Sequence, residues 1–88
     1  MLKIKEGYIM RQVAGEYIAL PSGTNLPLNQ MITLNETGAF LWEHLQPGAE
    51  EADLVAALLG TYDVDETLAA QSVKSFINRL REKQLLEE

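Results

Sequence analysis

His44 is the single histidine of the chain, so any proton shuttle or imidazole-activated nucleophile would have to be built around it. Cysteine is absent, and serine occurs only at Ser22, Ser72 and Ser75. Thiol catalysis, disulfides and zinc–thiolate sites are therefore excluded, and a serine–histidine pair has few members to draw on. His44 stands near the end of a helical pattern, where the helix dipole favours a cation, so it reads as a surface or helix-end residue rather than a general base. Asp63, Asp65 and Glu66 cluster, but the segment lacks the glycine and the distant bidentate glutamate of a calcium loop. Carboxylates at a helix start have a sufficient structural reason. The six glycines are scattered, and no GxGxxG or GxxxxGK[ST] loop is present to cradle a phosphate. No catalytic, cofactor-binding or metal-binding residue is assigned, and the chain is expected to be non-enzymatic.

Seven Lys and Arg against thirteen Asp and Glu give a formal net charge of −6. A domain that gripped nucleic acid by neutralising phosphates would carry the opposite sign. The 88 residues, 47% of them apolar, suit one globular domain over 1–88 with a single core. The longest apolar runs fall far short of a bilayer span, and no charged segment leads an apolar N-terminus, so a cytoplasmic location is expected.

The elements are organised around M-I-T-L-N-E-T-G-A-F-L-W-E-H-L, which begins at Met31. Met31, Ile32, Thr33 and Leu34 suit a short, half-buried strand. Gly38, Leu41, Trp42 and Leu45 then fall on one helical face, with Phe40 to its side. Either Asn35 caps that helix or Thr33-x-x-Glu36 forms a capping box. Upstream, Leu2 and Ile4 alternate with lysines too briefly to decide. Tyr8 to Val13 and Glu16 to Leu20 read as a hairpin turning at Ala14-Gly15, ended by Pro21. The turn formers of 22–30 predict a loop. Downstream, Pro47-Gly48 is a break, and a second helix is expected from about Glu50 to Leu59 with Gly60 as its left-handed cap. Asp63-x-x-Glu66 is a candidate capping box for a third helix, with Leu68, Ala69, Val73, Phe76, Ile77 and Leu80 as its buried stripe. Leu85 and Leu86 are expected to tuck the tail back. Neither of the first two helices would be stable alone at its length. A three-stranded antiparallel sheet followed by a three-helix cluster buries every apolar face at once, which is the α+β, winged-helix-like arrangement.

The hairpin Y-I-M-R-Q-V-A-G-E-Y-I-A-L-P, the Leu34-Asn35-Glu36-Thr37-Gly38 signature with Trp42 and Leu45, then E-A-D-L-V-A-A-L-L-G-T-Y-D-V-D and V-K-S-F-I-N-R-L-R-E-K-Q-L-L resemble the PqqD family over nearly the whole chain. That family is named for coenzyme PQQ synthesis protein D. The resemblance implies a small peptide chaperone, or RiPP recognition element. Such proteins bind the leader of a ribosomally made precursor peptide and present it to a modifying enzyme, commonly a radical SAM enzyme, in PQQ synthesis or a related pathway. It also implies that the leader adds as an antiparallel strand to the Met31–Leu34 segment and lies in a groove formed with the helix around Ser72 to Leu80. One departure is Ala49, where serine or threonine would cap the second helix better.

An unpaired sheet edge can accept an extended peptide whose alternate side chains enter pockets. The candidate peptide-binding residues are Met31, Ile32, Thr33 and Leu34 on the strand, with Ser72, Val73, Phe76 and Ile77 across from them. Either Ile32 and Leu34 or their opposite-face neighbours Met31 and Thr33 would form the wall. Ser72, on the shoulder of the apolar stripe, is small enough to leave room for a ligand side chain, and the periodicity leaves open which shoulder faces the strand. The rival reading is a winged-helix DNA-binding regulator that carries Lys74, Arg79, Arg81 and Lys83 into a major groove, against which the charge balance speaks. A purely structural subunit that docks on an enzyme is a third.

Overall fold

Short runs of alternating apolar residues give short strands, and the computed structural model, which describes residues 1–21 and 31–87, has five. They are β1 (Lys3–Ile4), β2 (Tyr8–Val13), β3 (Glu16–Pro21), β4 (Ile32–Leu34) and β5 (Leu86–Glu87). Helices α1 (Glu36–Leu45), α2 (Glu51–Thr61) and α3 (Glu66–Glu82) lie between β4 and β5. The main sheet has the antiparallel order β2-β3-β4, and the three helices follow it, as the apolar patterning predicts. The loop expected over 22–30 lies outside the described residues.

Ala14 and Gly15 form the two-residue turn of the β2-β3 hairpin, with Val13 opposite Glu16 and φ of 53° and 83° at the two turn positions. Two positive φ values make the tight turn whose twist matches the flanking strands. Pro21 ends β3 from inside the strand instead of stopping it at Leu20, and lies opposite Tyr8. β4 pairs only with Tyr17, Ile18 and Ala19, so β3 is one-sided at Pro21 and the missing N–H breaks no second ladder.

The sequence leaves residues 2–5 undecided because their role is set by distant partners. Lys3 and Ile4 pair with Glu87 and Leu86, and the Lys5 N–H donates to the Leu85 carbonyl at 2.9 Å. Leu2 and Ala49 exchange two backbone hydrogen bonds of 2.9 and 2.8 Å. Ala49 is thus a bridge residue and not a poor helix cap. Glu50 is the cap, its N–H donating to the Asp53 carboxylate at 3.0 Å.

Two other helix ends differ from expectation. Gly60 stays inside α2, which runs on to Thr61 and leaves through an extended Tyr62 whose N–H reaches the Leu58 carbonyl at 2.8 Å. That exit needs no left-handed residue. Asp65, not Asp63, caps α3 by accepting from the Leu68 N–H at 2.7 Å. Asp63 is used up in a three-residue turn, closed by the Val64 N–H on the Tyr62 carbonyl at 3.0 Å, so the helix starts two residues later.

At its far end α3 closes with Gln84 at φ 59°. The Gln84 N–H bonds the Arg81 carbonyl at 3.0 Å and the Leu85 N–H the Leu80 carbonyl at 2.9 Å, which is the Schellman pattern. It turns Leu85 and Leu86 inward, where both are buried with Ile4, Trp42, Leu45, Leu54, Leu58 and Leu80 in one core. Ala14 and Gln84 hold left-handed backbone without glycine. Ala14→Asn and Gln84→Gly are each expected to stabilise the protein by about 0.5–1 kcal/mol in chemical denaturation, by relieving that strain.

Candidate functional site

β4 is buried, exposed, buried along its three residues. Ile32 and Leu34 drive into the core and Thr33 faces out. The chain then turns into α1 at once, because the Asn35 side chain accepts the Gly38 N–H at 2.7 Å. This settles the helix start in favour of the Asn35 cap over a Thr33-x-x-Glu36 box. Among the described residues β4 pairs only with β3, which leaves its other edge beside α3. The tail, paired with β1, does not cover it.

One contact crosses to that edge. Arg79 of α3 donates from Nη2 to the Thr33 carbonyl at 2.8 Å, in an exposed setting. A strand's carbonyls alternate between its two edges, so the guanidinium marks Thr33 as an acceptor on the side away from β3. Exposure limits such a bond to about 1 kcal/mol net.

Beside this edge, α3 and the start of α1 form a groove of about 410 Å³. Leu68, Gln71, Ser72, Ser75, Phe76 and Arg79 supply one wall, and Asn35, Thr37, Gly38 and Leu41 the other. The α3 residues make a stripe one position back from the buried stripe of Ala69, Val73, Ile77 and Leu80, and Phe76 belongs to both. Leu68 was expected in the buried stripe but is 50% exposed. It lies one position back from the buried Ala69, on the shoulder of α3 that lines the groove. Arg79 is the one charged residue among the lining residues.

Of the residues singled out from sequence, Ser72 and Phe76 line the groove. Thr33 presents its carbonyl at the strand edge. Met31 is half-buried just before β4, which begins at Ile32. Ile32, Leu34, Val73 and Ile77 place their side chains in the core, so they support the site from beneath. Sequence reasoning missed Leu41, Gln71, Ser75 and Arg79. The usable signal was the repetition of small polar residues, Ser72 and Ser75, on one shoulder of an otherwise apolar helix.

A different face of α1 carries an aromatic cluster. The Phe40 ring lies 4.3 Å from His44 and 5.3 Å from Tyr62, edge-on to the latter. His44 is exposed, its Nδ1 bonded to the Phe40 carbonyl at 2.9 Å. Burial pushes the Tyr62 hydroxyl above its usual value of 10.0, and the nearby Glu36 carboxylate and Tyr17 add to the shift. A raised phenol pKa favours the folded state while the group is protonated, so that contribution is lost as pH rises above 10.0 through the folded value. Tyr62 is expected to titrate above 10.0 by ultraviolet absorbance, and Glu36→Gln to bring it part of the way back. Among the described residues no group of three acidic or histidine side chains is placed to hold a metal ion. No described helix is long and apolar enough to cross a membrane.

Groove and core should separate cleanly by mutation. Leu68→Ala is expected to change stability by less than about 0.5 kcal/mol, whereas Val73→Ala, at a fully buried position, should cost about 2 kcal/mol. Urea denaturation of both variants checks this.

The sequence model of the family described as Coenzyme PQQ synthesis protein D (PqqD) matches residues 9–86. The structure described as TbiB1 in complex with the TbiA(beta) leader peptide is similar, with a TM-score of 0.76 and 25% sequence identity, over 97% of this chain and 94% of that one. Lasso peptide synthetase B1 complexed with the leader peptide also has a TM-score of 0.76, at 20% identity, over 99% of this chain and 98% of that one. At that identity the second likeness is one of fold. No curated protein matches the chain. The family match begins in β2 and ends in β5, taking in the sheet, the Asn35 joint, both walls of the groove and the inward-turned tail: the chain belongs to the PqqD family.

Proposed function

We propose that this protein is a non-catalytic peptide chaperone of the cytoplasm. It binds the leader of a ribosomally synthesised precursor peptide by strand addition at β4 and presents the peptide to a modifying enzyme, of the radical SAM type or another. The observation that carries this reading is a sheet edge, unpaired among the described residues, running beside a groove with an exposed leucine. Two solved structures of the same fold are complexes with leader peptides, which supports it.

Within this reading the two halves of the site have different tasks. Each ladder bond to β4 contributes only about 0.5–1.5 kcal/mol and is nearly blind to sequence. Burying one leucine or phenylalanine anchor of the peptide is worth roughly 1.5–3 kcal/mol. Met31 and Thr33 then border the added strand, while Leu41, Leu68, Ser72 and Phe76 choose the anchor. The DNA-binding alternative has no support: the net charge is −6, and Arg79, one of the cations it would need, is engaged at Thr33.

The test is a titration of isotope-labelled protein with the leader segment of a candidate precursor peptide. Amide shifts are expected in Ile32, Thr33 and Leu34 and along Leu68 to Arg79. Shifts confined to the aromatic face of α1, or none, would sink the proposal. Ser72→Trp, which fills the groove from a half-buried position, is expected to weaken binding at least tenfold while leaving the circular dichroism spectrum unchanged. Ile32→Asp is a poor probe, because Ile32 is buried and the change reports on folding.

A further inference from the structure

We infer that Arg79 is a latch on the β4 edge and a specificity-determining residue, and that the peptide this groove takes carries a carboxylate side chain at the position that reaches it. The inference rests on the strand-addition reading.

Thr33 is the middle residue of a three-residue strand. Carbonyls alternate along a strand, so when the central residue faces the open edge its two neighbours face β3. An incoming antiparallel strand therefore has one central residue to pair with, and it must donate an N–H to the carbonyl that the Arg79 guanidinium holds at 2.8 Å. The oxygen has a second lone pair, so peptide and guanidinium compete for place along the edge: the guanidinium stands where the added strand must enter.

Released from Thr33, the guanidinium keeps its charge and five donors. The groove lining offers it asparagine, threonine, glutamine and serine side chains but no carboxylate. On its outer side Lys74 and Glu82 lie near it. Glu82 is one turn along the same helix and exposed, where an ion pair is worth little. A carboxylate on the peptide, meeting the guanidinium in a partly enclosed groove, makes the bidentate pair that replaces the lost bond. Elsewhere an acidic peptide meets a protein of formal charge −6, so a carboxylate is welcome at one place on the peptide and disfavoured around it. The latch thus converts a strand edge that cannot read sequence into one that opens for a particular charge.

A displayed library of random peptides, selected in parallel on the immobilised wild type and on Arg79→Gln, tests this whatever the natural ligand is. The wild-type pool is expected to fix Asp or Glu at one spacing from an apolar anchor, and the Arg79→Gln pool to keep the anchor and lose the acid. For a selected peptide, changing that acid to its amide should weaken binding to wild type about tenfold and to Arg79→Gln less than twofold. An anchor with no acidic preference, or an acidic preference that survives in Arg79→Gln, overturns the latch and leaves strand addition standing. No enriched motif at all, or binders whose amide shifts avoid β4, overturns the strand-addition reading and the latch with it.

Discussion

A strand of three residues cannot hold its own place in a sheet, and the structure depends on how β4 is held. Its ladder to β3 is short, so Ile32 and Leu34 secure it by burying their side chains. A one-residue slip would put Thr33 in the core and both apolar residues in water. The next device follows immediately: Asn35 caps α1 through Gly38. A Cβ added to Gly38 would lie 3.2 Å from the Asn35 Oδ1 and 3.4 Å from Leu34, so the cap and the core anchor occupy the space a side chain would need. The five residues from Leu34 to Gly38 are one mechanical joint. Because the chain leaves the sheet there, β4 ends as an edge with the start of α1 beside it.

The second mini-sheet explains why that edge is not taken by the tail. Leu85 and Leu86 must bury, and the Schellman turn at Gln84 aims them at β1. β1 in turn is fastened through Leu2 to Ala49 between α1 and α2. The N-terminus therefore works as a clasp between the helix pair and the tail. An exposed edge is a hazard for self-association, and here a single arginine stands over the central carbonyl. Arg79 is long enough to reach it and charged enough to stay soluble, so among the described residues the edge is guarded without being filled.

Local chemistry was readable where it was decided locally. Asn35, the Ala14-Gly15 turn and the inner stripe of α3 follow from side-chain type and spacing. The departures have distant causes. Ala49 looked like a weak cap because its partner, Leu2, is 47 residues away in sequence. Asp63 and Asp65 are equivalent by composition, and the turn at Val64 decides between them. Leu68 fits the helical period of the core, but it stands on the shoulder that lines the groove, one position back from the buried Ala69. The same limit hid Arg79, since a cation near a helix C-terminus already has a sufficient reason to be there, and its bond to Thr33 spans 46 residues.

The short edge also limits how much a strand added at β4 could contribute to affinity. Two ladder bonds on one side of a single central residue sum to roughly 1–3 kcal/mol, below the approximately 4.1 kcal/mol of even a millimolar complex. If a peptide adds at β4 as proposed, most of its binding free energy then comes from apolar burial in the groove, one wall of which is α3. Its rotation is set by Ala69, Val73, Ile77 and Leu80 in the core, while Leu68, Ser72 and Ser75 look outward from the same turns. Phe76 serves both sides, buried against the core and lining the groove. A change in core packing that turned α3 by a fraction of its period would move the groove lining and withdraw Arg79 from Thr33 together. In this fold, core packing and the shape of the groove are consequences of one helix orientation.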